Sequence, residues 1–177
     1  MMKFEPYRPA LRGIAVALAA GAAGLIFAGC GLVGGGGTSD DNSIRDGSGV
    51  ITGAGEVGVN ALQLGDCFND TPADEAADIT TVDAVPCVDP HDNEVYYLGA
   101  LPEADYPGED LVEELVSDQC LTVFDAFAGV AYAESQLEIG YIFPSKGSWT
   151  QGDRGYICVV YDVSLNKIQG SMRGRGY

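Results

Sequence analysis

The chain has 177 residues, 46% of them hydrophobic, and 9 Lys and Arg stand against 26 Asp and Glu for a formal charge of −17. So acidic a chain repels phosphate backbones and anionic headgroups, which excludes nucleic-acid binding and purely electrostatic docking on a membrane. The ordinary consequence of such a charge is solubility and self-repulsion at a crowded surface.

Lys3, Arg8 and Arg12 make a basic start, diluted only by Glu5, and Gly13 to Ala28 is almost all Ala, Gly, Leu, Ile and Val. That run is shorter and less apolar than the roughly 20 residues of a membrane-spanning helix. It reads as a secretory signal peptide, with a single-span anchor as the alternative. The run ends in "IFAGC", where Ala28, Gly29 and Cys30 resemble the lipobox of bacterial lipoproteins and Phe27 replaces the usual leucine. The resemblance implies that residues 1–29 are removed and that Cys30 becomes a lipidated first residue. Several acyl chains on one cysteine anchor firmly, whereas a single chain holds only marginally. Removing residues 1–29 takes away three basic residues and one acidic one, leaving 6 against 25 and a charge of −19. Residues 30–58 then read as a flexible Gly/Ser/Asp-rich tether, and 59–172 as one globular domain with a short tail at 173–177.

Two motifs in the tether fail their own tests. "GAGEVG" sets Gly53, Gly55 and Gly58 at dinucleotide-binding spacing, but no βαβ unit surrounds it. In "DDNSIRDG", counting from Asp41, the fifth position of a calcium loop would be Arg45 and the sixth Asp46 rather than Gly. No cofactor is expected.

The domain reads as α+β. "ALQLGDCF" is a short strand ending near Cys67, and "DEAADITTVDAVPC" passes from an acidic loop into a second strand. "EVYYLGAL", rich in β-branched and aromatic residues, is a third. "PGEDLVEELVSDQCLTVFDAFAG" is the one convincing helix, with Glu109 and Asp110 in its first turn and Gly129 placed to stop it. Its apolar stripe is expected at Leu111, Leu115, Val116, Cys120, Val123, Phe124 and Phe127. "SQLEIGYIF", "GYICVVYD" and "NKIQGSM" supply two or three further strands. Together they predict a small antiparallel sheet packed against one main helix.

If Cys30 carries lipid, Cys67, Cys87, Cys120 and Cys158 remain, an even number in an exported domain. Three pairings are possible, and Cys67–Cys87 with Cys120–Cys158 is preferred because it closes short loops. The chain-entropy model gives each about 3 to 4 kcal/mol. No CxxC occurs, which disfavours zinc knuckles and thioredoxin-type exchange.

His91, the single histidine, stands in "CVDPHDNEV" beside Asp89, Asp92 and Glu94. Base and orienter are available there, but the cysteines are claimed by disulfides and no serine lies in a nucleophile-elbow context. One histidine without a free thiol makes a poor zinc site. The simpler expectation is that Pro90 fixes a turn and His91 bonds backbone within it. In "SWTQGDRGYIC", Trp149 is the only tryptophan, and Arg154 could clamp an anion or pair with a local carboxylate such as Asp153.

"LGDCF", "CVDPHDNEV", "YPGED", the helical Cys120, "SWTQGDR", "YIC" and "IQGSM" together resemble the septum-formation domain family of actinobacterial lipoproteins and membrane proteins. The resemblance spans residues 62–172. It implies an extracytoplasmic, disulfide-bonded domain with a role in the envelope or septum, and it brings no catalytic residues with it. His91, Glu94, Trp149, Asp153 and Arg154 become candidates for recognition. The expected function is a lipid-anchored, non-enzymatic binding module on the outer face of the cell membrane, with an envelope or division protein as partner. The alternative is an extracytoplasmic hydrolase or ligand-binding enzyme using His91 and nearby carboxylates. A surface buffer for divalent cations is a third possibility.

Overall fold

The computed structural model describes residues 2–6, 41–71, 79–102 and 105–176. The signal run, Cys30 and the glycine-rich stretch after it lie outside these residues. Among the described residues no helix is long and apolar enough to cross a membrane.

In chain order the elements are β1 (Met2–Pro6), β2 (Ile44–Arg45), β3 (Ile51–Gly53), β4 (Gly55–Gly58), β5 (Cys67–Asn69), β6 (Thr81–Val85), β7 (Pro90–His91) and β8 (Asn93–Ala100). Then come α1 (Glu109–Ala128), β9 (Leu137–Pro144), α2 (Lys146–Trp149), β10 (Gly155–Asp162) and β11 (Ile168–Gln169). A seven-stranded antiparallel sheet runs in the order β1-β9-β10-β8-β5-β6-β4, as expected of an α+β fold with one main helix.

Strand periodicity sorts the core into two layers. On β10, Tyr156, Cys158 and Val160 join the helix-side core, while Ile157 and Val159 join the opposite one. Tyr141 and Phe143 against Ile142 on β9, and Tyr96 against Val95 on β8, divide the same way. The helix covers one layer. Ile51, Val57, Val59 and Leu62 fill the other.

The helix begins and ends as the sequence indicates, with Gly129 left-handed at φ 81°. Its buried face differs from the expected stripe. Val112, Val116, Cys120, Phe124 and Phe127 point inward, whereas Leu111 and Leu115 are 44% and 42% exposed and Val123 is half-buried. The reason is angular: 112, 116, 120, 124 and 127 form one continuous track of four- and three-residue steps, and 111 and 115 sit about 100° away from it.

Three other boundaries are corrected. The strand expected over "ALQLGDCF" starts only at Cys67, because Gly65 at φ 86° turns the chain just before it. The tether expected to reach residue 58 is already folded from Asp41 onward: β4 pairs with β6, and Ile51 and Val57 are buried. "GAGEVG" thus lies across β3 and β4, and a Cβ at Gly55 would collide with the Asn42 backbone. The tail is docked too. Gly174 N–H and Gly176 N–H donate to the Phe127 and Ala128 carbonyls at 2.8 and 3.0 Å, satisfying acceptors that the end of α1 leaves open. "NKIQGSM" does not extend the main sheet; β11 pairs with β7 instead.

The disulfides are Cys67–Cys87 and Cys120–Cys158, the pairing preferred on loop length. The second joins the buried face of α1 to β10 and staples the helix to the sheet.

Candidate functional site

The stretch 87–94 and the C-terminal segment 167–172 lie against each other, residue by residue. His91 pairs with Ile168 and Pro90 with Gln169 in the β7–β11 ladder, and Gly170 N–H donates to the Cys87 carbonyl. Lys167 Nζ reaches Asp92 Oδ2 at 2.7 Å and Asn69 Oδ1 at 2.5 Å. Glu94 accepts from Ser171 Oγ and from Met172 N–H, both at 2.6 Å. Proline sets the turn, the short strand carries the histidine inward, and Glu94 falls among the four consecutive buried residues that open β8.

His91 is fully buried. Its Nδ1 lies 2.8 Å from the Asp89 carbonyl, which can only accept, so Nδ1 is the donor of that bond. Nε2 is buried without a hydrogen-bond partner. A ring nitrogen of His91, Cys67 Sγ and a Glu94 oxygen all lie within 4.8 Å of one another, a trio of metal-ligating types. The sulfur, however, is bonded to Cys87 and both Glu94 oxygens are already accepting. A disulfide sulfur is a poor ligand compared with the thiolate that metals take. The Ser171 hydroxyl, in the same cluster, donates to Glu94.

The second group is Trp149 with its neighbours. Ser145 caps α2 through its hydroxyl, a helix the sequence did not reveal because four residues carry no periodicity. Trp149 at its end is 6% exposed, with the Tyr106 ring edge-on at 5.5 Å and the Arg154 guanidinium 3.9 Å over its face. Arg154 Nη1 donates to the Trp149 and Asp153 carbonyls at 2.8 and 2.7 Å. Asp153 Oδ1 accepts from Gly155 N–H, while Oδ2 is buried without a partner. "YPGED" and "SWTQGDR" therefore meet in one aromatic–cation stack.

Of the five recognition candidates, His91, Glu94 and Trp149 are buried, and Asp153 and Arg154 are half-buried. Their side chains hold loops and the C-terminus in place. A small open cleft of about 30 Å³ lies between Asp70, Asp92, Tyr161, Asp162, Leu165 and Asn166.

Sequence reasoning missed the ion pair at the N-terminal side of the domain. Arg45 Nη1 and Nη2 meet Asp66 Oδ1 and Oδ2 at 2.8 Å each, and Nε meets Asp41 at 2.7 Å. The hydrogen bonds Arg45 donates to Asp66 hold its pKa above the usual arginine value. Asp66 also accepts from Gln63 N–H, so the aspartate of "LGDC" ties its own turn to β2. The signal available was a lone arginine in an acidic stretch, which needs a buried carboxylate to be worth keeping.

The fold is a mixed antiparallel domain stapled by two disulfides, with His91 and Glu94 turned inward. The chain belongs to the septum-formation family, whose model matches residues 30–158, more than half of the chain. Membership ties it to septum formation or cell division. No curated protein and no solved structure matches it.

Proposed function

We propose that this protein is an extracytoplasmic, lipid-anchored binding module that serves septum formation without catalysing a reaction. The observation that carries the reading is the use made of the reactive groups: His91 is sealed, Glu94 is spent on Ser171 and Met172, and all four domain cysteines are in disulfides. Two disulfides suit an oxidising compartment. The Cys30 lipobox accounts for attachment of a chain whose processed charge of −19 would otherwise keep it off an anionic leaflet. What remains for function is the acidic outer surface, which is an interaction feature.

Mass spectrometry of the N-terminus, with membrane fractionation, tests the anchor. The expected product starts at an acylated Cys30 and pellets with membranes, and Cys30→Ser keeps residues 1–29. A non-acylated mature chain in the soluble fraction would overturn it. Deletion of the gene with imaging of septa tests the role; normal septa with a uniformly distributed fusion would count against it.

A further inference from the structure

His91 is held the way a metal-ligating imidazole is held. Its Nδ1 faces the Asp89 carbonyl at 2.8 Å, which fixes the ring, and its Nε2 is buried without a hydrogen-bond partner. Histidines that bind metals give their other ring N–H to a carbonyl or carboxylate in this way. Beside the ring stand Cys67 Sγ and a Glu94 oxygen, the three ligand atoms within 4.8 Å of one another, and Cys87 is bonded to that sulfur. What the cluster lacks for a metal is thiolate, because the disulfide keeps both sulfurs oxidised. We propose that opening of Cys67–Cys87 by a dithiol turns this cluster into a site for zinc or a similar thiophilic divalent metal, held by the Cys67 and Cys87 thiolates, His91 and Glu94. The proposal goes beyond the binding-module reading and does not depend on it.

Of the two disulfides, this is the one a reductant reaches. Cys120 and Cys158 are both 0% exposed, whereas Cys87 is half-buried and its partner Cys67 lies inside, near His91. A thiolate of the dithiol attacks Cys87 Sγ, the Cys67–Cys87 bond breaks, and Cys67 leaves as a thiolate. The second thiol of the reductant then attacks the mixed disulfide and releases Cys87 as a thiolate. The dithiol is oxidised to its disulfide, the protein takes up two electrons, and the two protons of the dithiol pass to water as the metal takes both sulfurs. Two sulfurs, one nitrogen and one oxygen suit the tetrahedral preference of zinc. Ligands about 2.0 to 2.3 Å from the metal stand about 3.4 to 3.8 Å apart, so the cluster has to contract by up to about 1 Å. Reduction gives it that freedom, since the sulfurs are no longer bonded to each other. The staple survives the exchange. A metal held by both cysteines still links residues 67 and 87, and each Glu94 oxygen has a second lone pair beyond the one that takes Ser171 or Met172.

Cobalt(II) reports such a site directly, through a thiolate charge-transfer band and the intense visible bands of tetrahedral geometry. The protein used is the full chain with Cys30→Ser in detergent, which leaves no cysteine outside the two disulfides. It is treated with a dithiol, freed of it without air, and its thiols are mass-tagged. Tags at Cys67 and Cys87 are expected, with Cys120–Cys158 intact and the far-ultraviolet circular dichroism unchanged. One equivalent of Co²⁺ should then bind with both sets of bands, and Zn²⁺ should displace it. The oxidised chain should bind at least about a hundredfold more weakly, and reduced His91→Ala at least about tenfold more weakly than the reduced parent. Zinc-edge X-ray absorption on the loaded parent needs no variant to fold, and it should count two sulfur and two nitrogen or oxygen neighbours with the scattering of one imidazole. Absence of the cobalt bands, equal binding by the oxidised chain, a zinc shell without imidazole, unfolding on reduction, or opening of Cys120–Cys158 first would overturn the site. None of these outcomes bears on lipidation or on septa, which the experiments of the preceding section decide.

Discussion

Glu94 shows how one side chain can resemble a site and act as a clasp. It is 1% exposed and takes a hydroxyl and a backbone N–H from a segment 77 and 78 residues away. Truncating an acceptor costs mainly the desolvation of the donors it strands. Glu94→Ala should therefore destabilise by about 2 to 3 kcal/mol, because Met172 N–H is buried and has no water to turn to. Glu94→Gln keeps an acceptor and should lose about half as much. Urea midpoints of the three proteins check the order, and a Gln variant as damaged as Ala would point to a role for the charge itself. The sequence put Cys, His, Asp and Glu together correctly. It could not show that their partner is "NKIQGSM", because the two segments are far apart in sequence and β7 and β11 are too short to be found by alternation.

At the scale of elements, α1 is held by its stripe, by Cys120–Cys158 and by hydrogen bonds from Tyr96 and Tyr141 of the sheet. Val112 is fully buried and Leu111 is 44% exposed, although the larger side chain is the stronger core candidate by composition. Val112→Ala should cost about 1 to 3 kcal/mol and Leu111→Ala within about 0.5, measured by thermal or urea unfolding. The helix itself was legible, since twenty residues give more than five turns for periodicity to declare itself. Which of two adjacent apolar residues faces inward was not, because 100° is within the width of an ordinary apolar face. Of the two tyrosine bonds from sheet to helix, the buried one is Tyr96 Oη–H to the Cys120 carbonyl, at 2.7 Å. Burial, with smaller contributions from Tyr132 and Tyr156, pushes this hydroxyl's pKa well above its ordinary 10.0. The fold thus favours the protonated tyrosine: its contribution is whole below pH 10 and is lost as pH rises from there toward the folded-state value. Tyr96→Phe should cost about 1 kcal/mol at pH 7.5. Its deficit relative to wild type should narrow above pH 10, by up to about 1.4 kcal/mol per pH unit. A deficit constant from pH 7.5 to 11 would mean that Tyr96 does not titrate against the fold.

For the whole molecule, the consequential finding is where the domain starts. A stretch of Gly, Ser and Asp reads as unfolded because it cannot build a core alone. Here it does not have to: a few residues suffice, with Ile51 and Val57 entering a layer that β6 and β8 have already half assembled, and Arg45 locking onto Asp66. Composition averages over such sparse anchors, which is why the tether seemed to run to residue 58. Arg45 is 13% and Asp66 4% exposed, so Arg45→Ala abandons a nearly buried carboxylate and should cost about 3 kcal/mol. Asp66→Asn should cost less, since it removes the charge together with part of the need for a partner. The same logic fixes the minimal folding unit. A chain starting at residue 39 retains β2, β3 and β4 and should match the chain starting at Cys30 in urea midpoint. A chain starting at residue 59 strips β4 from β6 and opens the layer that holds Phe68, Val82 and Ala84. It should lose several kcal/mol, a large part of the roughly 5 to 15 kcal/mol that keeps a domain folded, and expose an apolar edge that aggregates. Equal midpoints for the chains starting at 39 and 59 would return residues 41–58 to the tether; a gap of several kcal/mol makes them a structural part of the domain.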